Sequence, residues 1–178
     1  MKLTLIRHCE VEEKYLGCYN GHIDISLSDK GYIQAKELAQ KLKDENFDAV
    51  YCSDLLRAKE SLKYFKNLNN AVYTDQLREK SWGDDEGKTY DQICKEKNIT
   101  YESFEQWINE LSGESIKDFT SRVDQFFFKY LKNQRYKNVA IMTHSGVIKT
   151  FYSLYNCTSL EEAFSQKVDY AFYETKEF

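Results

Sequence analysis

Short apolar segments alternate with longer amphipathic segments along this chain of 178 residues. Strands that alternate with helices in this way usually pair in parallel, because each helix carries the chain back to the same end of the sheet. The sequence therefore predicts an α/β fold, a three-layer sandwich in which helices cover both faces of a mostly parallel sheet. The four apolar segments are residues 2–7, 49–53, 71–74 and 139–143.

The remaining elements follow from the spacing of apolar residues. Residues 29–44 place apolar side chains three and four positions apart, which predicts an amphipathic helix with Ser28 as its N-cap. The C-terminal segment VDYAFYET, residues 168–175, has the composition of an edge strand. Further helices are predicted at residues 54–66, 89–97, 102–111, 115–133 and 146–156.

Composition limits the classes of protein to consider. Hydrophobic residues make up 42% of the chain and charged residues 30%, a balance typical of one soluble domain. The formal net charge of −4 argues against nucleic-acid binding, which needs a basic surface. We find neither a run of 18 apolar residues nor a secretory leader, and the five cysteines include no CxxC pair. We therefore expect a cytoplasmic protein with reduced thiols and no membrane partner; composition does not indicate an oligomeric state.

Reactive side chains follow three of the predicted strands. Arg7 and His8 come after the first strand, Ser53 ends the second, and His144 follows the most apolar one. In parallel sheets, ligands bind at the carboxyl ends of the strands, so these residues are expected to share one site. A guanidinium group pairs well with phosphate oxygens, which indicates an anion site. The alternative for His8 alone is a structural histidine at the start of a loop.

Other segments add groups that suit a phosphate. Arg57, early in a predicted helix, would supply a second guanidinium, although a surface arginine is the plainer interpretation. Ser145 and Gly146 open the next predicted helix, where backbone N–H groups attract anions. Glu79 begins the segment 78–88, which has no periodicity and reads as a functional loop. A carboxyl group in a loop is usually solvated, but here it could protonate a leaving oxygen.

Six blocks of sequence, in order across about 140 residues, resemble the motifs of one enzyme family, the histidine phosphatase superfamily, which includes the cofactor-dependent phosphoglycerate mutases. The resemblance implies a phosphoglycerate mutase-like fold. It also implies that residues 1–178 form a single domain with a small cap of about residues 78–114. The blocks are LIRHCE (5–10), YNGHIDISLSDKGYIQAKELA (19–39), SDLLRAKES (53–61), LREKSWGDDEGKTYDQI (77–93), GES (113–115) and IMTHSGVIK (141–149).

The resemblance assigns roles to the matching residues. His8 would be the nucleophile and Glu79 the proton donor, with Arg7, Arg57 and His144 completing the catalytic set. Such a nucleophile needs one unprotonated ring nitrogen, while the other donates a hydrogen bond that fixes the tautomer. No metal or cofactor is expected, because the cationic side chains stabilise the phosphoryl group. The expected contacts to a small phosphorylated metabolite come from Arg7, Arg57, His144, Asn20, Gly21 and Ser145.

Two positions depart from the family pattern. Cys9 stands where the family has glycine after the histidine, so the backbone there must avoid angles that only glycine adopts. We interpret Cys9 as a packing residue. Lys14 stands where asparagine is common, which either replaces a hydrogen bond with a charge or leaves that contact empty.

The resemblance also indicates which reaction the chain catalyses. Only about 20 residues separate the Glu79 loop from the GES segment, and so small a cap suits water as the phosphoryl acceptor. We therefore expect a phosphomonoesterase that forms a phosphohistidine. Because Glu79 must be protonated at the first attack, activity is expected to favour mildly acidic to neutral pH. RHCEVEEKYLGCYNGHIDISL resembles the α-ribazole-5′-phosphate phosphatases, which makes α-ribazole 5′-phosphate a candidate substrate. The alternatives are a cofactor-dependent phosphoglycerate mutase and a catalytically silent module that binds a phosphorylated ligand.

Aromatic residues are concentrated in the segment 81–112, the expected source of specificity. They could stack on a base or a sugar, but an ordinary apolar core is the plainer interpretation. They are Trp82, Tyr90, Tyr101, Phe104 and Trp107.

Overall fold

A β-sheet forms the centre of the computed structural model, which describes residues 1–66 and 71–178. Its strands are β1 (Lys2–Arg7), β2 (Ala49–Ser53), β3 (Val72–Thr74), β4 (Asn138–Thr143) and β5 (Tyr173–Glu177). They lie in the order β3-β2-β4-β1-β5. The pairs β3–β2, β2–β4 and β4–β1 are parallel, whereas β5 runs antiparallel to β1 at the edge. The predicted mostly parallel sheet is therefore confirmed.

The helices occupy most of the predicted positions. Ser28 caps the first of them as predicted, since its Oγ accepts the N–H of Gly31 at 2.9 Å. The helix predicted at residues 115–133 is present, but its hydrogen bonding changes to a π-helix at Gln125–Tyr130 and a 3₁₀ turn at Leu131–Asn133. In the described part of the chain, none is long and apolar enough to cross a membrane. The helices are α1 (Asp29–Lys41), α2 (Leu56–Ser61), α3 (Tyr90–Lys97), α4 (Phe104–Glu110), α5 (Ile116–Asp124), α6 (Ser145–Asn156) and α7 (Leu160–Ser165).

Alternate residues of the strands feed two apolar clusters, one on each face of the sheet. In β4, Val139 and Ile141 point to the cluster formed with α5 and α6, which includes Phe127 and Phe151. The residues between them, Ala140 and Met142, belong to the cluster formed with α1 and α2. Because side chains along a strand point to opposite faces, a strand buried on both sides reads as a continuous apolar run. This arrangement is the three-layer sandwich that the sequence predicts.

A third apolar cluster lies within the segment for which we predict a cap. It contains Trp82, Ile93 and Trp107, with Tyr19 packed against it. The Trp107 indole N–H donates to the Tyr19 hydroxyl at 2.8 Å, and the Tyr90 ring lies 4.7 Å from Trp107 between centroids. Most of these aromatic side chains therefore pack against one another. Trp82 also lines the cavity described below.

One predicted helix is shorter than expected, and one helix was not predicted. The helix predicted at 54–66 ends at Ser61 as an α-helix, after which backbone N–H groups bond three residues back, as in Phe65 to Leu62 at 3.0 Å. This tighter path turns Leu62 and Phe65 into the second cluster. The short helix α7 was not predicted, because its six residues LEEAFS contain too few apolar positions to show a helical period.

The C-terminal edge strand begins later than predicted, at Tyr173 rather than at residue 168. The preceding residues leave the sheet and cross the end of β1. There the carbonyl of Val168 accepts from the Arg7 side chain, and the carbonyl of Phe172 accepts the Arg7 backbone N–H at 2.9 Å. Residues 168–172 therefore form part of a wall around the end of β1.

Candidate active site

A cavity of about 320 Å³ lies at the carboxyl ends of β1 and β4. The sequence-predicted residues Arg7, His8, Asn20, Glu79 and Ser145 all line it, although they come from separate segments. The fold thus brings the ends of parallel strands to one place, as the strand pattern predicts. The other lining residues are Cys18, Tyr19, Trp82, Gly146, Lys149, Phe164 and Tyr170.

His8 is held in one tautomer. Its Nδ1 lies 2.8 Å from the carbonyl oxygen of Cys9, and a carbonyl oxygen can only accept a hydrogen bond. Nδ1 must therefore carry the proton, which leaves Nε2 with a free lone pair. Burial, reinforced by the positive charges of Arg57 and Arg7, lowers the pKa of His8 well below its ordinary value. The imidazole is consequently neutral at pH 7 and can act as a nucleophile.

His144 lies beside His8, with 5.0 Å between the ring centroids, and is completely buried. Its Nε2 is 2.8 Å from the Ser53 hydroxyl, which also accepts the N–H of Leu55 at 3.4 Å. When that hydroxyl donates its proton to Nε2, the proton of the neutral ring lies on Nδ1. Burial and the charge of Arg57 hold the pKa of His144 well below its ordinary value. His144 is therefore a neutral hydrogen-bond donor.

Arg57 is fully buried, not a surface arginine. Its two terminal nitrogens donate to the carbonyls of Asn20, Gly21 and Ile23 at 2.6 to 3.0 Å. Burial lowers the pKa of Arg57 to about 10, so the guanidinium still carries its charge at neutral pH. The loop that follows the first motif thus fixes a cation behind the two histidines.

Three donors in this region are buried and have no hydrogen-bond partner among the described residues. They are Nε of Arg7, Nε of Arg57 and Nδ1 of His144. A buried N–H without an acceptor is costly, particularly on a charged group. Such donors are satisfied when an anion with several acceptor oxygens binds, and a phosphoryl group has that chemistry.

Glu79 faces the N-terminus of α6. Its Oε2 accepts the N–H of Gly146 at 2.9 Å, and its Oε1 accepts the N–H of Lys80 at 3.0 Å. Its backbone carbonyl accepts from the ring of His22 at 2.9 Å and from Arg122 at 3.3 Å. The carboxyl group is therefore held firmly at the cavity wall. The N–H of Gly146 is already used, which corrects the expectation that it would donate to the phosphate.

Asn20 and Gly21, both predicted to bind substrate, have contacts of their own. The Asn20 amide nitrogen donates to the carbonyl of Tyr15 at 2.7 Å, and its buried Oδ1 has no partner in the described ranges. An amide oxygen cannot donate to a phosphate, but the second N–H of this amide group remains for one. Gly21 holds Arg57 through its carbonyl, and a Cβ at this glycine would overlap Oε1 of Glu86.

The two departures from the family pattern have simple structural outcomes. Cys9 is fully buried and does not adopt the left-handed conformation, so its position does not require glycine. Its N–H donates to the Ser61 hydroxyl at 2.8 Å, and burial raises the pKa of its thiol to about 11. Lys14 is exposed and forms an ion pair with Glu12 at 3.3 Å. It is not among the residues that line the cavity. All five cysteines are free.

Sequence reasoning missed five residues that line the cavity, among them Tyr170 and Lys149. Tyr170 stacks on the guanidinium of Arg7 at 4.0 Å and lies 5.6 Å from His8 between ring centroids. Nothing local in the sequence marks it, because its partners are at the other end of the chain. Lys149 was within reach of sequence reasoning, since it lies three residues after Gly146 and therefore on the same face of α6.

No group of three or more His, Cys, Asp or Glu side chains in residues 1–66 and 71–178 is arranged to hold a metal ion. The charged or basic side chains that line the cavity are Arg7, His8, Glu79 and Lys149.

The sheet order, the covering helices and the polar residues at the strand ends define an α/β protein of the phosphoglycerate mutase type. The chain belongs to the histidine phosphatase superfamily (branch 1), whose family model matches residues 3–175. It is a phosphatase of that superfamily, as the named phosphatases among its relatives indicate. The sequence-based assignment of the family is thus confirmed.

Three relatives illustrate the similarity. The adenosylcobalamin/α-ribazole phosphatase of Escherichia coli is 30% identical over 156 residues, which cover 83% of this chain and 75% of the relative. The structure of the α-ribazole phosphatase from Shigella flexneri has a TM-score of 0.84 and 28% identity, covering 98% of this chain and 89% of that one. A mutant phosphoserine phosphatase from Entamoeba histolytica, in complex with phosphoserine, has a TM-score of 0.81 and 25% identity, with the same coverage.

Proposed function

We propose that the chain hydrolyses a small phosphorylated metabolite through a phosphohistidine formed on Nε2 of His8. The observation that carries this proposal is the hydrogen bond from Nδ1 of His8 to the Cys9 carbonyl at 2.8 Å. It leaves Nε2 unprotonated in a cavity that the Arg7 guanidinium lines, next to buried N–H donors of Arg7 and Arg57 that have no partner among the described residues.

In the first step, Nε2 of His8 attacks phosphorus, the bond to the ester oxygen breaks, and Glu79 gives its proton to that oxygen. Arg7, Arg57 and His144 stabilise the negative charge on the three remaining oxygens. Because their positions are fixed by buried hydrogen bonds, little reorganisation is needed when the charge develops.

In the second step, the Glu79 carboxylate takes a proton from water, and the water oxygen attacks the phosphorus of the phosphohistidine. The N–P bond breaks, phosphate leaves, and His8 regains its lone pair. One carboxyl group thus serves first as acid and then as base, and the site returns to its starting state.

Two classes of small substrate are candidates. The sequence resemblance favours α-ribazole 5′-phosphate, and relatives with that activity in their names support it. Relatives named as phosphoserine phosphatases support a smaller, carboxylated ester instead. The cavity volume lies at the lower end of the range for ligand sites, which favours the smaller ester.

Hydrolysis is favoured over mutase activity and over silent binding. All five residues of the catalytic set are present, and the proposed cap of about residues 78–114 is short. A small cap leaves the phosphoenzyme accessible to water, which then competes with a second substrate as acceptor.

Phosphate release from p-nitrophenyl phosphate tests the proposal. Wild-type protein should release phosphate without added metal, and His8→Ala should abolish turnover while its circular dichroism spectrum and melting temperature stay close to those of wild type. Retained turnover in a folded His8→Ala variant would overturn the proposal. Conversion of 3-phosphoglycerate to 2-phosphoglycerate with no phosphate release would establish a mutase instead.

A further inference from the structure

Lys149 is a cation of the cavity to which the two-step mechanism gives no role. It lies on α6, one turn after the residues that open the helix at the phosphate end of the cavity. Its Nζ donates to the carbonyl of Phe164 at 2.9 Å and lies 5.6 Å from the centre of the Phe164 ring. The side chain therefore belongs to the wall that α6 and α7 form together.

Lys149 has no carboxylate within ion-pair distance among the described residues, although it lines the cavity. The buried Lys80 likewise lacks one, but it does not line the cavity, and two other partly buried cations are paired. Arg122 pairs with Glu114 at 2.7 Å, and Lys97 pairs with Asp85 at 2.7 Å. Burial lowers the pKa of Lys149, and the nearby charge of Arg7 lowers it further, whereas Glu79 opposes both. An ammonium group in such surroundings gains from a second anion in the cavity.

The charges of the phosphoryl site do not use this cation. A phosphate dianion is balanced by Arg7 and Arg57, and the unpaired Nδ1 donor of His144 adds a third contact. Glu79 must be protonated when the ester oxygen leaves, so it does not neutralise Lys149 at that moment. The positive charge of Lys149 is then available to the leaving group of the substrate.

We propose that Lys149 binds a carboxylate on the leaving group, and that the natural substrates are small carboxylated phosphomonoesters such as phosphoserine or phosphoglycerate. This inference rests on the proposed phosphatase function and names its substrate class. The bond from Nζ to Phe164 uses one of three ammonium protons, so two remain for the carboxylate. A small ester is also what a cavity of about 320 Å³ accommodates.

Two esters that differ in one group test the inference. 3-Phosphoglycerate and glycerol 3-phosphate share a three-carbon skeleton, but the first carries a carboxylate where the second carries a hydroxymethyl group. Wild-type protein should release phosphate from 3-phosphoglycerate with a kcat/KM about tenfold higher or more, the effect of one charge-assisted hydrogen bond. A ratio near one would overturn the inference.

Substitutions of Lys149 test whether this residue causes the preference for the carboxylated ester. Lys149→Met should lower the ratio of the two kcat/KM values by about tenfold, mainly through KM, whereas Lys149→Arg should keep part of it. Lys117→Met, at an exposed position of α5, should keep the wild-type ratio. Equal losses on both esters in Lys149→Met would overturn the inference, because they would show that Lys149 acts on the phosphoryl group. Lys149→Gln repeats the test if the methionine variant does not fold.

A failure of the inference about Lys149 can be distinguished from a failure of the proposed phosphatase function. Turnover of p-nitrophenyl phosphate without a preference for the carboxylated ester rejects the role of Lys149 and leaves the phosphatase intact. Absence of turnover on every ester rejects the phosphatase itself, and the role of Lys149 with it.

Discussion

The guanidinium carbon of Arg7 lies 4.0 Å from the centre of the Tyr170 ring, although 163 residues separate them in sequence. The same ring lies 5.6 Å from His8, and the N–H of the next residue, Ala171, donates to the His8 carbonyl at 3.2 Å. The end of the chain therefore holds the two residues that begin the first motif. Ala171 has a φ of 56°, an uncommon angle for alanine, which turns the backbone at this point.

Tyr170 should act as a positioning residue for Arg7. Tyr170→Leu removes the aromatic face, so we expect kcat/KM for p-nitrophenyl phosphate to fall by about two- to thirtyfold, the range of a cation–π contact. Tyr170→Phe keeps the face and should restore most of the activity. Tyr173→Leu, at an exposed position of β5, is the matched control. Equal activity of the leucine and phenylalanine variants would contradict this role.

Replacement of Glu79 should affect substrates according to their leaving groups. Glu79→Gln cannot supply a proton, and we expect kcat/KM on an alkyl phosphate, which reports phosphoenzyme formation and not the shared second step, to fall by roughly 100- to 10,000-fold. The loss on p-nitrophenyl phosphate should be much smaller, because nitrophenolate leaves without protonation. Glu161→Gln, at an exposed position of α7, should change neither rate. Equal losses on both substrates would show that Glu79 is not the acid.

Gly146 should be required because of its contact with Glu79. A Cβ at this position would overlap Oε1 of Glu79, so Gly146→Ala should displace the carboxyl group. We expect kcat on alkyl phosphates to fall by about tenfold or more. In the Glu79→Gln background, Gly146→Ala should lower kcat little further, since both substitutions remove the same function, proton donation by Glu79. Additive losses in the double variant would contradict a shared cause.

The free energy of unfolding should depend on pH through the two buried histidines. In the folded protein the pKa values of His8 and His144 lie well below those of the unfolded chain, about 6.5. As pH falls through that value, the unfolded chain binds protons that the folded protein does not. Stability is therefore fully present above about pH 6.5 and is lost below it, with a slope approaching about 1.4 kcal/mol per pH unit for each histidine.

Urea denaturation between about pH 7.5 and about pH 5.5 measures this slope, because carboxyl groups titrate mainly below that window. His144→Asn should reduce the slope by about half, since one of two protons is then missing. An unchanged slope in that variant would show that His144 does not bind its proton preferentially in the unfolded chain.

The sequence was most informative where a function needs a residue at a strand end. Arg7, His8 and His144 were predicted to share a site, and the parallel pairing of β1 with β4 brings them together. The apolar run in β4 predicted burial on both faces, because only a covered strand can lack polar positions. These signals are local, so a single sequence contains them.

Other features depend on contacts that no local pattern records. The bond from Ser53 to His144 and the packing of Tyr170 on Arg7 join residues that are distant in sequence. The occupied N–H of Gly146 could not be foreseen either, since it depends on where the Glu79 side chain points in the folded chain. The short helix α7 likewise forms between α6 and the C-terminal residues, with too few apolar positions to mark it.

The most direct measurement is the trapping of the phosphoenzyme. Wild-type protein mixed with a rapidly hydrolysed phosphomonoester should be quenched at alkaline pH within one turnover, digested, and analysed by mass spectrometry. We expect phosphate on His8, and phosphorus NMR of the labelled peptide should place it on Nε2, because Nδ1 is bound to the Cys9 carbonyl. Label on Nδ1, on His144 or on a cysteine, or multiple turnovers without any labelled enzyme, would contradict this expectation.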